Sequence, residues 1–300
     1  MFLNGRREEV KRVGVAVVFP GQGSQATGMG LELVDLPAWH LVTDAEEILA
    51  TSLSPLLLGD ELKTTQAAQT AVFLHSLIVW ETVKDEVAEV TSFAGHSLGQ
   101  MTALIASGSL SFEQGVQLAA KRAAVTQEAA DHKPGVMAAL MGATDEQAAA
   151  AVAGTPDTCW VANVNAPGQI VIAGTPEGLA AATEAAKDAG IRKVIPLDVA
   201  AAFHTPLMDE AAEAFAEYLQ TIEFATPSAP IVSNEDATAY TDGNGWKTRL
   251  VSHLIKPVRW ADSMLTIDSL GPASLREVGP GSTLTALAKR CLPNSEWVTV

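Results

Sequence analysis

The first ordered signal in the chain is Gly14-Val15-Ala16-Val17-Val18-Phe19, a continuous apolar run closed by Pro20-Gly21-Gln22-Gly23-Ser24-Gln25. A β-branched run of this kind, ended by turn formers, predicts a buried strand of a parallel sheet. Residues 65–83 predict a helix, with apolar positions at Ala68, Val72, Leu74, Ile78 and Val79. Residues 90–94 predict a second strand running into Gly95-His96-Ser97-Leu98-Gly99, followed by helices over 100–108 and 112–130. Strand and helix in alternation imply an α/β sheet covered on both faces.

The pattern changes in the middle of the chain. Residues 135–142 predict a short strand and 144–153 a helix capped by Thr144. Residues 161–165 and 169–173 flank Ala166-Pro167-Gly168 as a hairpin. A helix over 176–190 and a strand over 191–199 complete a β-α-β-β-α-β order, which is the ferredoxin-like pattern. The expected architecture is therefore a large α/β-hydrolase-like lobe with a parallel sheet, residues 1–130 and 203–300. A small ferredoxin-like α+β lobe, residues 131–202, is inserted into it. A helix over 206–220 and a strand over 230–233 return the chain to the large lobe, and 236–246 reads as a polar loop. No internal repeat or low-complexity tract interrupts this order.

Composition narrows the class. Of 300 residues, 48% are hydrophobic and 18% charged, as in a core-forming globular protein. The formal charge of 19 − 35 = −16 repels nucleic acid and anionic membranes, so neither is expected as a partner. Cys159 and Cys291 stand far apart without CxxC spacing, which argues against a disulfide framework or zinc site and fits a reducing compartment. Residues 1–12 carry charges where a signal peptide needs an apolar core, and the run over 13–19 is too short to span a membrane. The expectation is a cytoplasmic protein without a metal.

The chemistry begins at Gly95-His96-Ser97-Leu98-Gly99. A G-x-S-x-G sequence between a strand and a helix makes a sharp, strained turn that lifts the serine hydroxyl above the sheet. The residue after the nucleophile, Leu98, supplies one backbone N–H for the oxyanion of acyl transfer. Serine needs a base, and the residues alone leave it open among His40, His75, His96, His132, His204 and His253. His75 lies within an apolar helix and reads as a core histidine. His96 is adjacent to Ser97, where neighbouring side chains on a tight turn point apart. His204 occupies a junction between a strand and a helix, like the serine. Gly21-Gln22-Gly23 has neither the third glycine of a dinucleotide fingerprint nor the lysine of a phosphate loop.

Four ordered segments carry a resemblance: Phe19-Pro20-Gly21-Gln22-Gly23-Ser24-Gln25, Gly95-His96-Ser97-Leu98-Gly99, Ala202-Phe203-His204 and Glu277-Val278-Gly279-Pro280-Gly281. Together they resemble the malonyl-CoA:acyl carrier protein transacylases and the related acyltransferase domains of polyketide synthases. The resemblance implies Ser97 as nucleophile and His204 as general base without a third carboxylate. It further implies that the imidazole is oriented by the backbone carbonyl of His253, at a position usually Gln in the family. Gln100 departs likewise from the usual Glu. The second oxyanion donor is implied to be the Gln22 N–H. Arg122, which by itself reads as a solvated helix arginine, is implied to bind the malonyl carboxylate through a bidentate contact. Phe203 is implied to favour malonyl over α-methyl-branched groups.

The implied reaction takes malonyl from malonyl-CoA to the phosphopantetheine thiol of acyl carrier protein through a malonyl-serine intermediate, with no cofactor and with the protein a monomer. Carrier proteins are acidic, so docking needs a local basic patch, for which Lys187, Arg192, Lys193, Lys256 and Arg259 are candidates. A serine esterase would share the elbow but have no use for Arg122 and usually adds an acidic triad member. A polyketide-type extender acyltransferase would differ in acyl group and partner, and a non-catalytic carrier-docking module would need none of these side chains.

Overall fold

A computed structural model describes residues 12–59, 62–87, 89–199, 201–295 and 298–299. The expectation for residues 1–12 falls, up to residue 11, outside the described residues.

Two separate sheets organise the chain. The larger has the order β10-β9-β1-β2-β7-β8, with β1 at Val15–Phe19, β2 at Val90–Gly95, β7 at Ile231–Val232, β8 at Ala239–Tyr240, β9 at Ser274–Glu277 and β10 at Val298–Thr299. The strands from β10 to β7 run parallel, and only the β7–β8 edge pair is antiparallel. The central strand β1 buries Ala16, Val17, Val18 and Phe19 completely, which is why its sequence is apolar without alternation. On one face Val17, Phe19 and Phe93 pack with the helices Thr65–Val83, Phe112–His132 and Asp209–Leu219. On the other, Ala16 and Val18 meet Trp260, Met264 and Leu284.

The smaller sheet is antiparallel, in the order β4-β5-β3-β6, from β3 at Val136–Met141, β4 at Cys159–Ala166, β5 at Gln169–Gly174 and β6 at Lys193–Pro196. Its first and third strands are central, as a β-α-β-β-α-β chain places them. Thr144 caps the helix Asp145–Val152 in a reciprocal box with Gln147. Cluster Leu140, Ile170, Ile172, Ala182 and Ala186 forms a core separate from that of the large sheet.

Two sequence expectations change. The stretch 236–246 is not wholly a polar loop, because Ala239–Tyr240 pairs with β7 and Trp246 is fully buried at the start of the helix Trp246–Ile255. The strand expected over 191–199 shortens to Lys193–Pro196, an edge strand with most of its residues exposed. Among the described residues no helix is long and apolar enough to cross a membrane, and no cluster of His, Cys, Asp or Glu could hold a metal ion. Both cysteines are free.

Candidate active site

Ser97 stands between the end of β2 and the helix Gly99–Ala106. Its φ of +52° lies in the left-handed region, a rare and costly conformation for a residue with a side chain. The flanking glycines make the turn possible. A Cβ on Gly95 would collide with the Gly99 backbone, and one on Gly99 with the Phe19 carbonyl. The loop after β1 rests on the elbow equally closely, since a Cβ on Gly21 would strike the His96 carbonyl.

His204 reaches Ser97 from the other side of the site. It too has a positive φ, +61°, and is followed by Thr205, which caps the short turn Pro206–Met208 through its hydroxyl. His204 Nε2 lies 2.8 Å from Ser97 Oγ, and His204 Nδ1 donates to the backbone carbonyl of His253 at 2.7 Å. A carbonyl can only accept, so it fixes the hydrogen on Nδ1 and leaves Nε2 with a lone pair facing the serine. Burial, the nearby Arg122 cation and His96 lower the His204 pKa to about 3, so the ring is neutral at pH 7.

Arg122 is not the solvated helix arginine that its sequence setting allows. It is 3% exposed. The guanidinium donates to Gln69 Oε1 through Nη1 and to Ser97 Oγ at 3.1 Å through Nη2. Among the described residues it has no carboxylate partner, and burial lowers its pKa to about 10, which leaves it charged. A buried cation is favoured by an opposite charge beside it, and a guanidinium suits a carboxylate.

The Gln22 side chain accepts from Gln69 Nε2 at 3.4 Å. Neither the Gln22 N–H nor the Leu98 N–H donates to any acceptor among the described residues. Gln22, Ser97, Arg122, Phe203 and His204 all line one cavity of about 240 Å³ that the small sheet closes through Met137, Asn163 and Val171.

His253 holds His204 by a hydrogen bond to its main-chain carbonyl. Its ring lies 4.9 Å from that of His204, tilted by 34°, and among the described residues its buried Nε2 has no hydrogen-bond partner. His96 and Ser97 bond to different partners, Asn165 and His204. His96 lines the same cavity as Ser97, with Nε2 2.8 Å from Asn165 Oδ1. His75 is buried as expected, and burial lowers its pKa to about 4. His40 and His132 lie exposed at the surface, near Pro37 O and Glu210.

Of the basic candidates, Lys187, Lys256 and Arg259 are engaged by Glu184, Glu235 and Asp262. Arg192 and Lys193 are exposed and form no ion pair among the described residues. Sequence reasoning missed Gln69, Asn163, Asn165 and Asn234. Gln69 left a trace, as a polar residue within a helix that is buried on nearly all sides.

A serine on a strand–helix elbow, bonded to a neutral imidazole and beside a buried guanidinium, defines an acyl-transferring serine enzyme built on an α/β sheet. The match with known proteins agrees: residues 16–299 fit the family described as the acyl transferase domain, and the chain belongs to that family. It is 38% identical over 284 residues to a malonyl CoA-acyl carrier protein transacylase of Bacillus subtilis, covering 92% of this chain and 90% of the relative. Among solved structures it is similar to an acyl carrier protein S-malonyltransferase from Vibrio cholerae, with TM-score 0.90, 34% identity and 96% of each chain covered. It is equally similar to a malonyl-transacylase solved in complex with a type II polyketide acyl-carrier protein, with TM-score 0.91, 34% identity and 96% of each chain covered.

Proposed function

We propose that this protein is a malonyl-CoA:acyl carrier protein S-malonyltransferase of fatty acid biosynthesis. The observation that carries this reading is Arg122, a buried guanidinium with no anionic partner among the described residues, bonded to the nucleophile itself. An esterase with a neutral acyl group has no need for such a cation, whereas malonate presents a free carboxylate that would pair with it.

In the first half-reaction His204 Nε2 takes the Ser97 proton as Oγ attacks the malonyl thioester carbonyl. The oxyanion is held by the N–H groups of Leu98 and Gln22. The carbon–sulfur bond then breaks, and His204 returns its proton to the departing coenzyme A thiolate. In the second half-reaction the phosphopantetheine thiol of the carrier gives its proton to His204 and attacks the malonyl-serine ester, and the proton passes back to Ser97 Oγ. The helix Gly99–Ala106 begins at the elbow, with its positive end toward the developing charge. Phe203, partly buried beside the cavity, is the side chain we assign to exclusion of an α-methyl branch.

The division into a catalytic lobe of residues 1–130 and 203–300 and an inserted lobe of 131–202 belongs to the same reading and is supported by the two separate sheets. So do a monomeric state, a cytoplasmic location and a reaction that needs no cofactor. Steady-state kinetics with malonyl-CoA and holo-carrier protein test the proposal. Parallel double-reciprocal lines and malonylated carrier are expected from a covalent intermediate, and intersecting lines would exclude it.

A further inference from the structure

The β2·β7 ladder stops at Ala94↔Val232. Gly95 still pairs with Phe19 of β1, but on the β7 side the Gly95 carbonyl and the Ser97 N–H lie beyond the ladder, and both need partners. One side chain supplies both. Asn234, two residues past β7 and 1% exposed, donates from Nδ2 to Gly95 O at 2.8 Å and accepts the Ser97 N–H on Oδ1 at 2.7 Å. Its own backbone is pinned just as fully. The N–H donates to Gln100 Oε1 at 3.2 Å, and the carbonyl accepts from the Arg259 N–H at 3.0 Å.

We infer that Asn234 is a positioning residue for the nucleophile: its planar carboxamide spans the Gly95–His96–Ser97 turn and holds Ser97 in its left-handed conformation. The inference rests on Ser97 being the nucleophile. Two donor–acceptor pairs of opposite sense suit an amide and no other common side chain of this length. Alanine offers neither bond. Aspartate keeps the acceptor for the Ser97 N–H but turns a second oxygen toward the Gly95 carbonyl. Asn234 does not line the cavity, so its effect on chemistry must pass through Ser97. With the turn unclamped, Ser97 Oγ loses its fixed 2.8 Å approach to His204 Nε2, and the Leu98 N–H turns with it. Gln100 secures the clamp from the first turn of the following helix, which gives that buried glutamine a task in the site.

The test measures the rate at which Ser97 is modified, in protein shown to be folded by circular dichroism, for wild type, Asn234→Asp and Asn234→Ala. Two reagents are used: malonyl-CoA at saturation, and a neutral sulfonyl fluoride that needs neither Arg122 nor coenzyme A recognition. A misplaced nucleophile costs on the order of 100-fold in rate. The expected order is wild type, then Asp, then Ala, with both reagents slowed in parallel and the malonyl-CoA KM within about threefold of wild type. Asn234→Ala strands two buried groups and can lower the yield of folded protein, so Asn234→Asp, of equal shape, carries the decision. Folded Asn234→Asp reacting with the sulfonyl fluoride at the wild-type rate overturns the inference. Wild type left unmodified at Ser97 overturns the nucleophile assignment beneath it.

Discussion

Exchange of Arg122 for methionine separates two roles that the guanidinium plays at once. In the free protein it is a buried cation facing neutral groups, and the fall of its pKa from 12.5 to about 10 has one cause, burial. That fall corresponds to roughly 3 kcal/mol of unfavourable desolvation. Methionine fills similar space without the charge and relieves this cost. The change also strips the donor from Gln69 Oε1, a penalty of about 1–3 kcal/mol for a buried acceptor. The two nearly cancel, so the folded protein should keep its stability or gain slightly in urea. Transfer behaves differently. A malonyl carboxylate paired with Arg122 makes charge-assisted contacts whose loss costs about 3–5 kcal/mol, or roughly 10²- to 10³-fold or more in kcat/KM. Acetyl-CoA has no carboxylate and loses only the contact between Nη2 and Ser97 Oγ, worth about 1.5 kcal/mol or roughly 10-fold. The assay is kcat/KM for both donors with the same carrier protein. A malonyl-to-acetyl ratio that falls by roughly 10- to 100-fold at unchanged stability is expected. Equal losses with the two donors, or unfolding at several kcal/mol lower free energy, would refute the reasoning.

Because His204 holds its neutral form down to about pH 3, the acid limb of kcat/KM should lie well below the ordinary imidazole range, and a limb near pH 6.5 would contradict the burial argument. Stability carries the opposite side of the same shift. The unfolded chain protonates its histidines near pH 6.5 while folded His204 and His75 resist, so unfolding free energy should decline as pH falls from about 6.5 toward 4; a flat urea-midpoint profile there would count against it. Phe203→Ser should raise the methylmalonyl-to-malonyl rate ratio by about 10-fold or more, as one methyl is worth roughly 1–3 kcal/mol, and an unchanged ratio would remove Phe203 from acyl selection. Reversing the charges of Arg192 and Lys193 should raise the carrier-protein KM several-fold at low salt, and an unaltered KM would move docking elsewhere.

Much of this site was legible because its parts sit where the chain must turn sharply. Ser97 was visible through the glycines around it, since only glycine fits where Gly95 and Gly99 touch neighbouring backbone. His204 stood out from the other histidines only by its place at a junction, and the resemblance chose it; the two positive φ values show that both residues sit on strained turns. Arg122 was invisible to pattern. Nothing in Leu118-Ala119-Ala120-Lys121-Arg122 distinguishes a buried guanidinium from a surface one, and only the resemblance singled it out. Asn234 was beyond reach for a different reason. Its partners lie 139 and 137 residues away in sequence, and a polar residue after a two-residue strand carries no local signature. Charge counts ignore neighbours, so the sequence did not show that Glu184, Glu235 and Asp262 each pair with one member of the basic candidate set. Trp246 was hidden by its setting in the polar stretch 236–246, although it ranks among the largest fully buried side chains.

The central claim is that Ser97 carries the acyl group, and intact-mass measurement after mixing with malonyl-CoA in the absence of carrier tests it most directly. One malonyl adduct per chain is expected, located on Ser97, discharged by holo-carrier protein and missing in Ser97→Ala. A folded protein that takes up no adduct, or a Ser97→Ala variant that is labelled as fully as the wild type, would contradict it.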